Sequence, residues 1–175
     1  MPYHHGDLRR AILSAAVEAI TAGGPASVSL RDLARRAGVS HAAPIHHFGD
    51  KAGVLTALAE EGFDLLAAEL SAAGEDLVET GVAYVRFAVT HRAYFEVMFR
   101  PDTHHPDDPE LSAARARAGA LLARGARQEP DGYAEVAAWS LMHGFATLWL
   151  TGALPANLGD DLTGAARGVA RNLLR

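Results

Sequence analysis

Apolar residues recur along the chain at intervals of three and four, and almost nowhere in sustained alternation. Such spacing lines them up on one stripe of a helix, whereas a half-buried strand needs a period of two. Leu8, Ile12, Ala16 and Ile20, broadened by Leu13 and Val17, predict a helix from about Asp7 to Thr21 that Gly23-Gly24-Pro25 stops. Leu30, Leu33, Ala34 and Ala37 predict a short second helix. Ser29 stands at its N-cap, and Asp32 lies in the first turn, where the helix dipole favours an acid. Gly38 ends it with the left-handed residue that a tight turn requires. Ser40 is placed to cap a third short helix from His41, which Phe48-Gly49-Asp50 terminates. Asp50 then caps a longer fourth helix through Val54, Leu55, Leu58, Phe63, Leu66 and Leu70.

Further helices are expected over about 75–99, broken near His91–Arg92, and over 109–127, 131–151 and 160–174. Between them, the three prolines of Arg100 to Pro109 predict an irregular surface loop, with His104 and His105 solvated in it. The fold class is therefore all-α. Residues 1–50 form an N-terminal three-helix domain, and residues 51–175 a C-terminal helical domain.

Composition narrows the function. Hydrophobic residues are 49% and charged residues 21% of 175, enough apolar surface for a real core. With no cysteine, disulfides, thiol nucleophiles, zinc fingers and iron–sulfur sites are excluded. No apolar run approaches the roughly 18 residues of a membrane span, and Met-Pro-Tyr-His-His does not read as a signal peptide, so the expected location is cytoplasmic.

The net charge of −5 argues at first against a nucleic-acid partner. It is unevenly spread, however. Residues 1–59 hold six basic and four acidic side chains, a net +2, and the rest holds ten basic against seventeen acidic, a net −7. An acidic body would repel DNA and leave the head to approach it.

Two short helices joined at Ala37-Gly38-Val39-Ser40 and braced by a preceding amphipathic helix have the layout of a helix-turn-helix. Ala37 is small where the helices meet, Gly38 supplies the positive φ, and Val39 faces the core beneath the turn. The stretch Ser29-Leu-Arg-Asp-Leu-Ala-Arg-Arg-Ala-Gly-Val-Ser40, followed by His46-His-Phe-Gly-Asp-Lys51 and Val54-Leu55, resembles the TetR family of transcriptional regulators. Tyr3-His-His-Gly-Asp-Leu-Arg9 and Trp139-Ser-Leu-Met-His-Gly144 are similar to one branch of that family, the latter to its tryptophan–histidine–glycine signature. Two positions depart from the pattern: Ile45 stands where tyrosine is usual, removing a phosphate contact, and Pro44 falls about four residues into the expected recognition helix.

The resemblance implies a ligand-responsive regulator, a repressor, that binds a palindromic operator as a dimer with recognition helices about 34–36 Å apart. It implies that Ser29, Arg31 and Ser40 hold phosphates, that His41 and Ala42 face bases, and that His46 and His47 reach the backbone or a base edge. Lys51 would clamp a phosphate, and Tyr3, His4 and His5 would add a short arm. In the C-terminal ligand-binding and dimerisation domain, Tyr84, Phe87, Met98, Trp139, Met142 and His143 are the candidates to line a pocket for a small, partly apolar effector. The helices over 131–151 and 160–174 are apolar on more faces than one chain can bury, which predicts a homodimer through a four-helix interface.

Neither a cofactor nor a metal is called for: neighbouring His46 and His47 point apart on a helix, and no carboxylate–histidine spacing accompanies them. Ser140 and His143 share a helix face but lack a third partner, so no enzyme is expected. The alternative is a helical protein-interaction module with a degenerate head, favoured by Pro44 and Ile45.

Overall fold

A computed structural model describes residues 5–124 and 133–174. Its helices are α1 (His5–Gly23), α2 (Leu30–Arg36), α3 (Ala43–Phe48), α4 (Lys51–Ala73), α5 (Leu77–Thr90), α6 (Arg92–Met98), α7 (Pro109–Ala123), α8 (Tyr133–Leu150) and α9 (Leu162–Ala170). The break between α5 and α6 falls at His91, as the sequence predicts, and α9 runs on into a 3-10 turn over Arg171–Leu174. Among the described residues there is no strand, and no helix is long and apolar enough to cross a membrane.

The chain forms two compact units, Met1–Phe63 with Arg92–Ala114 and Asp64–His91 with Arg115–Arg175. The first therefore holds more than the three predicted helices of the head, since it also takes the start of α4, α6 and the proline loop. Its core is built from Ile12, Ala16 and Ile20 of α1, Leu33 of α2, Val54, Leu55 and Leu58 of α4, and Val97 and Met98 of α6, each 2% exposed or less. Burying each of the isoleucine, leucine, valine and methionine side chains among them contributes about 1.5–3 kcal/mol relative to leaving it in water.

The proline loop lies at the surface as expected, but it is anchored. The His105 backbone N–H donates to Thr56 Oγ1 at 2.9 Å, and His105 Nε2 lies 3.5 Å from Asp50 Oδ1, so the loop is tied to α4. His104, expected in solvent, is buried as a result. Its burial follows from a contact 49 residues distant, which no local pattern announces.

In the second unit α5 is the central helix. Tyr84, Val85, Phe87 and Ala88 are buried on it, and α8 and α9 pack against it with Met142, Phe145, Ala146, Ala166 and Ala170. Arginine–carboxylate links join the helices: Arg167 to Glu79 at 2.8 and 2.9 Å ties α9 to α5, Arg117 to Asp64 at 2.6 Å ties α7 to α4, and Arg86 with Glu69 ties α5 to α4. Asp76 and Asp161 cap α5 and α9, accepting from the backbone N–H of Glu79 and Gly164.

Candidate functional site

The turn between α2 and α3 has the geometry its residues predict. Gly38 takes φ +65°, the Val39 N–H donates to the Ala34 carbonyl at 3.0 Å, and the Gly38 N–H donates to the Arg35 carbonyl at 3.3 Å. These two bonds are the Schellman pair that satisfies the last carbonyls of a helix. Val39 is half-buried beneath the turn.

Of the two expected serine caps, Ser29 holds its position and Ser40 does not. Ser29 occupies the N-cap of α2 in extended conformation but makes no side-chain cap bond. Asp32 does not reach back to it either, because its carboxylate is held by Arg35 at 2.5 Å and Arg36 at 2.5 Å. Those guanidinium bonds, Arg36 first, keep Asp32 below the usual carboxylate range. The third helix starts at Ala43 rather than His41, with Ala42 at its N-cap, and Ser40 sits in the preceding turn. There the Ser40 carbonyl accepts from the Ala43 N–H at 3.0 Å.

Pro44 explains the shift. A proline has no N–H to give and disfavours helical geometry in the residue before it when placed mid-helix. In the first turn the missing N–H has no intrahelical partner to lose. The helix accordingly begins at Ala43, which puts Pro44 in the first turn and both residues in the core. Placed there, Pro44 costs α3 no helical hydrogen bond.

This register decides which side chains face outward. His41, Ala42, Ile45 and His46 are exposed, and His47 is half-buried with its ring 5.4 Å from that of His46. Ile45 is 57% exposed, a large apolar side chain held in solvent on the outer face of α3. Sequence reasoning passed over it as a missing tyrosine. The signal lay in Pro44, which fixes the helix start and thereby turns residue 45 outward.

The cations divide into two kinds. Arg31 is exposed and has no hydrogen-bond or ion-pair partner among the described residues, whereas Arg35 and Arg36 are spent on Asp32. Lys51, half-buried at the start of α4, donates from Nζ to the Ala26 carbonyl at 3.0 Å and so pins the 3-10 turn Pro25–Ser27. An ammonium carries three donors, so this bond leaves others for a phosphate. The expected Asp50 cap is present, accepting from the Gly53 N–H at 2.8 Å. Gly53 itself is required, because the Phe48 carbonyl oxygen stands where a Cβ would be. The arm of Tyr3, His4 and His5 lies outside the described side chains.

Five of the six expected effector residues lie in the second unit, and three are bonded to one another. Trp139 Nε1 donates to Tyr84 Oη at 3.1 Å, and Tyr84 Oη lies 2.8 Å from His143 Nδ1. Trp139 and His143 are four apart on α8, which places both on the side facing α5. Burial lowers the His143 pKa below 6.5 and raises that of the Tyr84 phenol, so the imidazole is neutral and the phenol protonated at neutral pH. Met142 packs at the bare Cα of Gly81, and the Phe87 ring lies 5.2 Å from that of His91. Met98 belongs to the first unit, where Gly62 leaves room for its thioether.

A cleft of about 570 Å³ also opens in the first unit, lined by Arg9, Arg10, Leu13, Ser14, Glu61 and Tyr94 among others, and by none of the six expected residues. Burial, together with the neighbouring Glu61 carboxylate, raises the Tyr94 phenol to about 12. No group of three or more potential metal ligands gathers among the described residues.

Residues 12–58 match the family described as bacterial regulatory proteins, tetR family, and residues 77–172 match the tetracyclin repressor-like C-terminal domain. A protein of unknown function from Rhodococcus sp. RHA1 is similar in structure at 31% identity and a TM-score of 0.76, over 99% of this chain and 96% of that one. The TetR family regulator PfmR of Thermus thermophilus aligns at 24% identity and a TM-score of 0.69, over 94% and 97% of the two chains. LfrR of Mycobacterium smegmatis, solved in complex with proflavine, aligns at 22% identity and a TM-score of 0.66, over 97% and 95%. No match is found among curated protein sequences. A helix-turn-helix head and a C-terminal helical domain, each matching its half of one family, make this chain a member of the TetR family of bacterial transcriptional regulators.

Proposed function

We propose that the chain is an effector-responsive repressor that binds a palindromic operator as a homodimer. The observation that carries the DNA reading is the outer surface of the helix-turn-helix, where Ser29, Arg31 and Ser40 are exposed along with His41, Ala42, Ile45 and His46. In this reading Arg31 and Lys51 hold phosphates, His41, His46 and His47 reach the backbone or base edges, and Ala42 and Ile45 contact thymine methyl groups. Pro44 gives less support to a degenerate head, since it lies in the first turn of α3, where a missing N–H costs no helical hydrogen bond.

Dimerisation through α8 and α9 is supported by what one copy leaves uncovered. Tyr133, Val136, Trp139, Leu141 and Leu148 of α8 are 72%, 55%, 40%, 36% and 45% exposed. Gly144 and Gly168 lie inside helices, and no other part of the described chain comes within 4 Å of where a Cβ would be, their own helix backbone aside. A mid-helix glycine costs about 0.5–1 kcal/mol relative to alanine. Close approach by the same helices of a second copy gives these two a purpose. The effector is assigned to the second unit, against Tyr84, Phe87, Trp139, Met142 and His143. LfrR, bound to proflavine, illustrates a small organic ligand on this fold. As α4 contributes residues to both units and leads directly out of the helix-turn-helix, it is one covalent route by which such a ligand would alter the head.

The test is selection of duplexes from a randomised pool by the full-length chain. Enrichment of an inverted repeat, bound in a gel shift as two protomers, is the expected result. A pool from which no sequence is enriched would refute the assignment.

A further inference from the structure

The helix-turn-helix lacks, where it would meet bases, the side chains that read them by paired hydrogen bonds. From Ala37 to Gly49 the chain holds no arginine, lysine, asparagine, glutamine, aspartate or glutamate. Those are the residue types that pair with base edges in the major groove. The outer surface offers instead His41 and His46, together with the apolar Ala42 and Ile45. Ile45 is the larger of the two apolar groups. At 57% exposed, it is the one large hydrophobic side chain left mostly in solvent among the described residues of the first unit. It stands in the first turn of α3, directly after buried Pro44, and the first turn of a recognition helix is the part that meets base edges. Being β-branched in a helix, it is held near a single χ1 rotamer and loses little freedom on contact. Its side chain neither gives nor takes a hydrogen bond, and the apolar group that a base presents in the major groove is a C5-methyl.

We propose that Ile45 is a base-specificity residue that recognises a C5-methyl group whatever hydrogen-bonding edge carries it, so that thymine and 5-methylcytosine are accepted at its position and uracil and cytosine are not. Thymine and uracil differ by that methyl alone, as do 5-methylcytosine and cytosine. The proposal deepens the operator-binding reading and rests on it. Where an operator holds cytosine at this position, methylation of that base strengthens binding.

The test uses the duplex selected by the full-length chain, with thymine replaced by uracil in both half-sites at once, one position at a time. At one position wild type should lose about tenfold in affinity, roughly a lost methyl contact in each half-site. Ile45→Ala should bind thymine and uracil alike there. The variant alters an exposed, uncharged side chain, so its circular dichroism spectrum and the salt dependence of its binding should match wild type. At the same position 5-methylcytosine opposite guanine should bind better than cytosine by a similar factor, again only when Ile45 is present. If no thymine shows a methyl effect that depends on Ile45, the assignment is overturned. A methyl gain on thymine but not on cytosine overturns the indifference to the hydrogen-bonding edge. If no duplex is selected at all, the operator-binding reading itself fails, and the proposal with it.

Discussion

The head and the second unit are held together over different distances along the chain. In the helix-turn-helix the decisive bonds are local: Val39 to Ala34 and Gly38 to Arg35 in the turn, Gly53 to Asp50 at the next helix start, and Arg35 and Arg36 to Asp32. In the second unit they span 53 residues from Asp64 to Arg117, 59 from Tyr84 to His143 and 88 from Glu79 to Arg167. Local bonds let a small motif keep one shape while its outer face stays exposed. Long-range bonds fix neighbouring helices around a polar relay and leave one face of α8 apolar and uncovered.

The largest effect should come from charging that uncovered face. Leu141→Asp with Leu148→Asp alters two exposed side chains, so the fold is expected to survive by circular dichroism. Light scattering should report a monomer, and operator affinity should fall about 100-fold or more as the second head is lost. A dimer of undiminished affinity would remove α8 from the interface.

Within the head, Gly53→Ala places a methyl on the Phe48 carbonyl. A cost of about 2–3 kcal/mol is expected, read as a drop in melting temperature of about 5–10 °C. Tyr84→Phe makes the corresponding cut in the second unit, deleting the oxygen that links Trp139 to His143. It should destabilise by about 1–3 kcal/mol, and thermal melts showing no change would mean that the relay holds nothing.

The smallest effect concerns Glu79. Bonds from Arg167 hold its pKa below the ordinary 4.5, so its contribution is fully present above that value and lost as pH falls through the lowered one. Glu79→Gln should therefore melt below wild type at neutral pH, with the gap closing in acid. A gap independent of pH would show that the ion pair is not its cause.

The same difference in range explains what could be read from the sequence. The Gly38 turn, the Asp50 cap and the break at His91 are written in adjacent residues, and the helical periods marked every element. The local pattern puts Pro44 two residues too deep in α3, because its effect depends on where the helix starts and that start depends on it. The burial of His104, the bond from Lys51 to Ala26 and the bonding of Trp139, Tyr84 and His143 needed the folded chain, since each joins residues that no periodicity relates. Tyr84, Trp139 and His143 were picked out together as pocket residues, but not as a bonded set.

The central claim is that exposed cations of the head hold operator phosphates, and Arg31 tests it most directly because its removal breaks no bond within the described structure. Operator affinity of wild type and Arg31→Ala should be measured from 50 to 200 mM salt on the selected duplex. Each phosphate contact contributes about 0.9 to the slope of log affinity against log salt, so losing Arg31 from both heads should flatten it by about 2. The loss should be equal across operators that differ in base sequence. An unchanged slope, or a loss confined to one base position, would contradict the account.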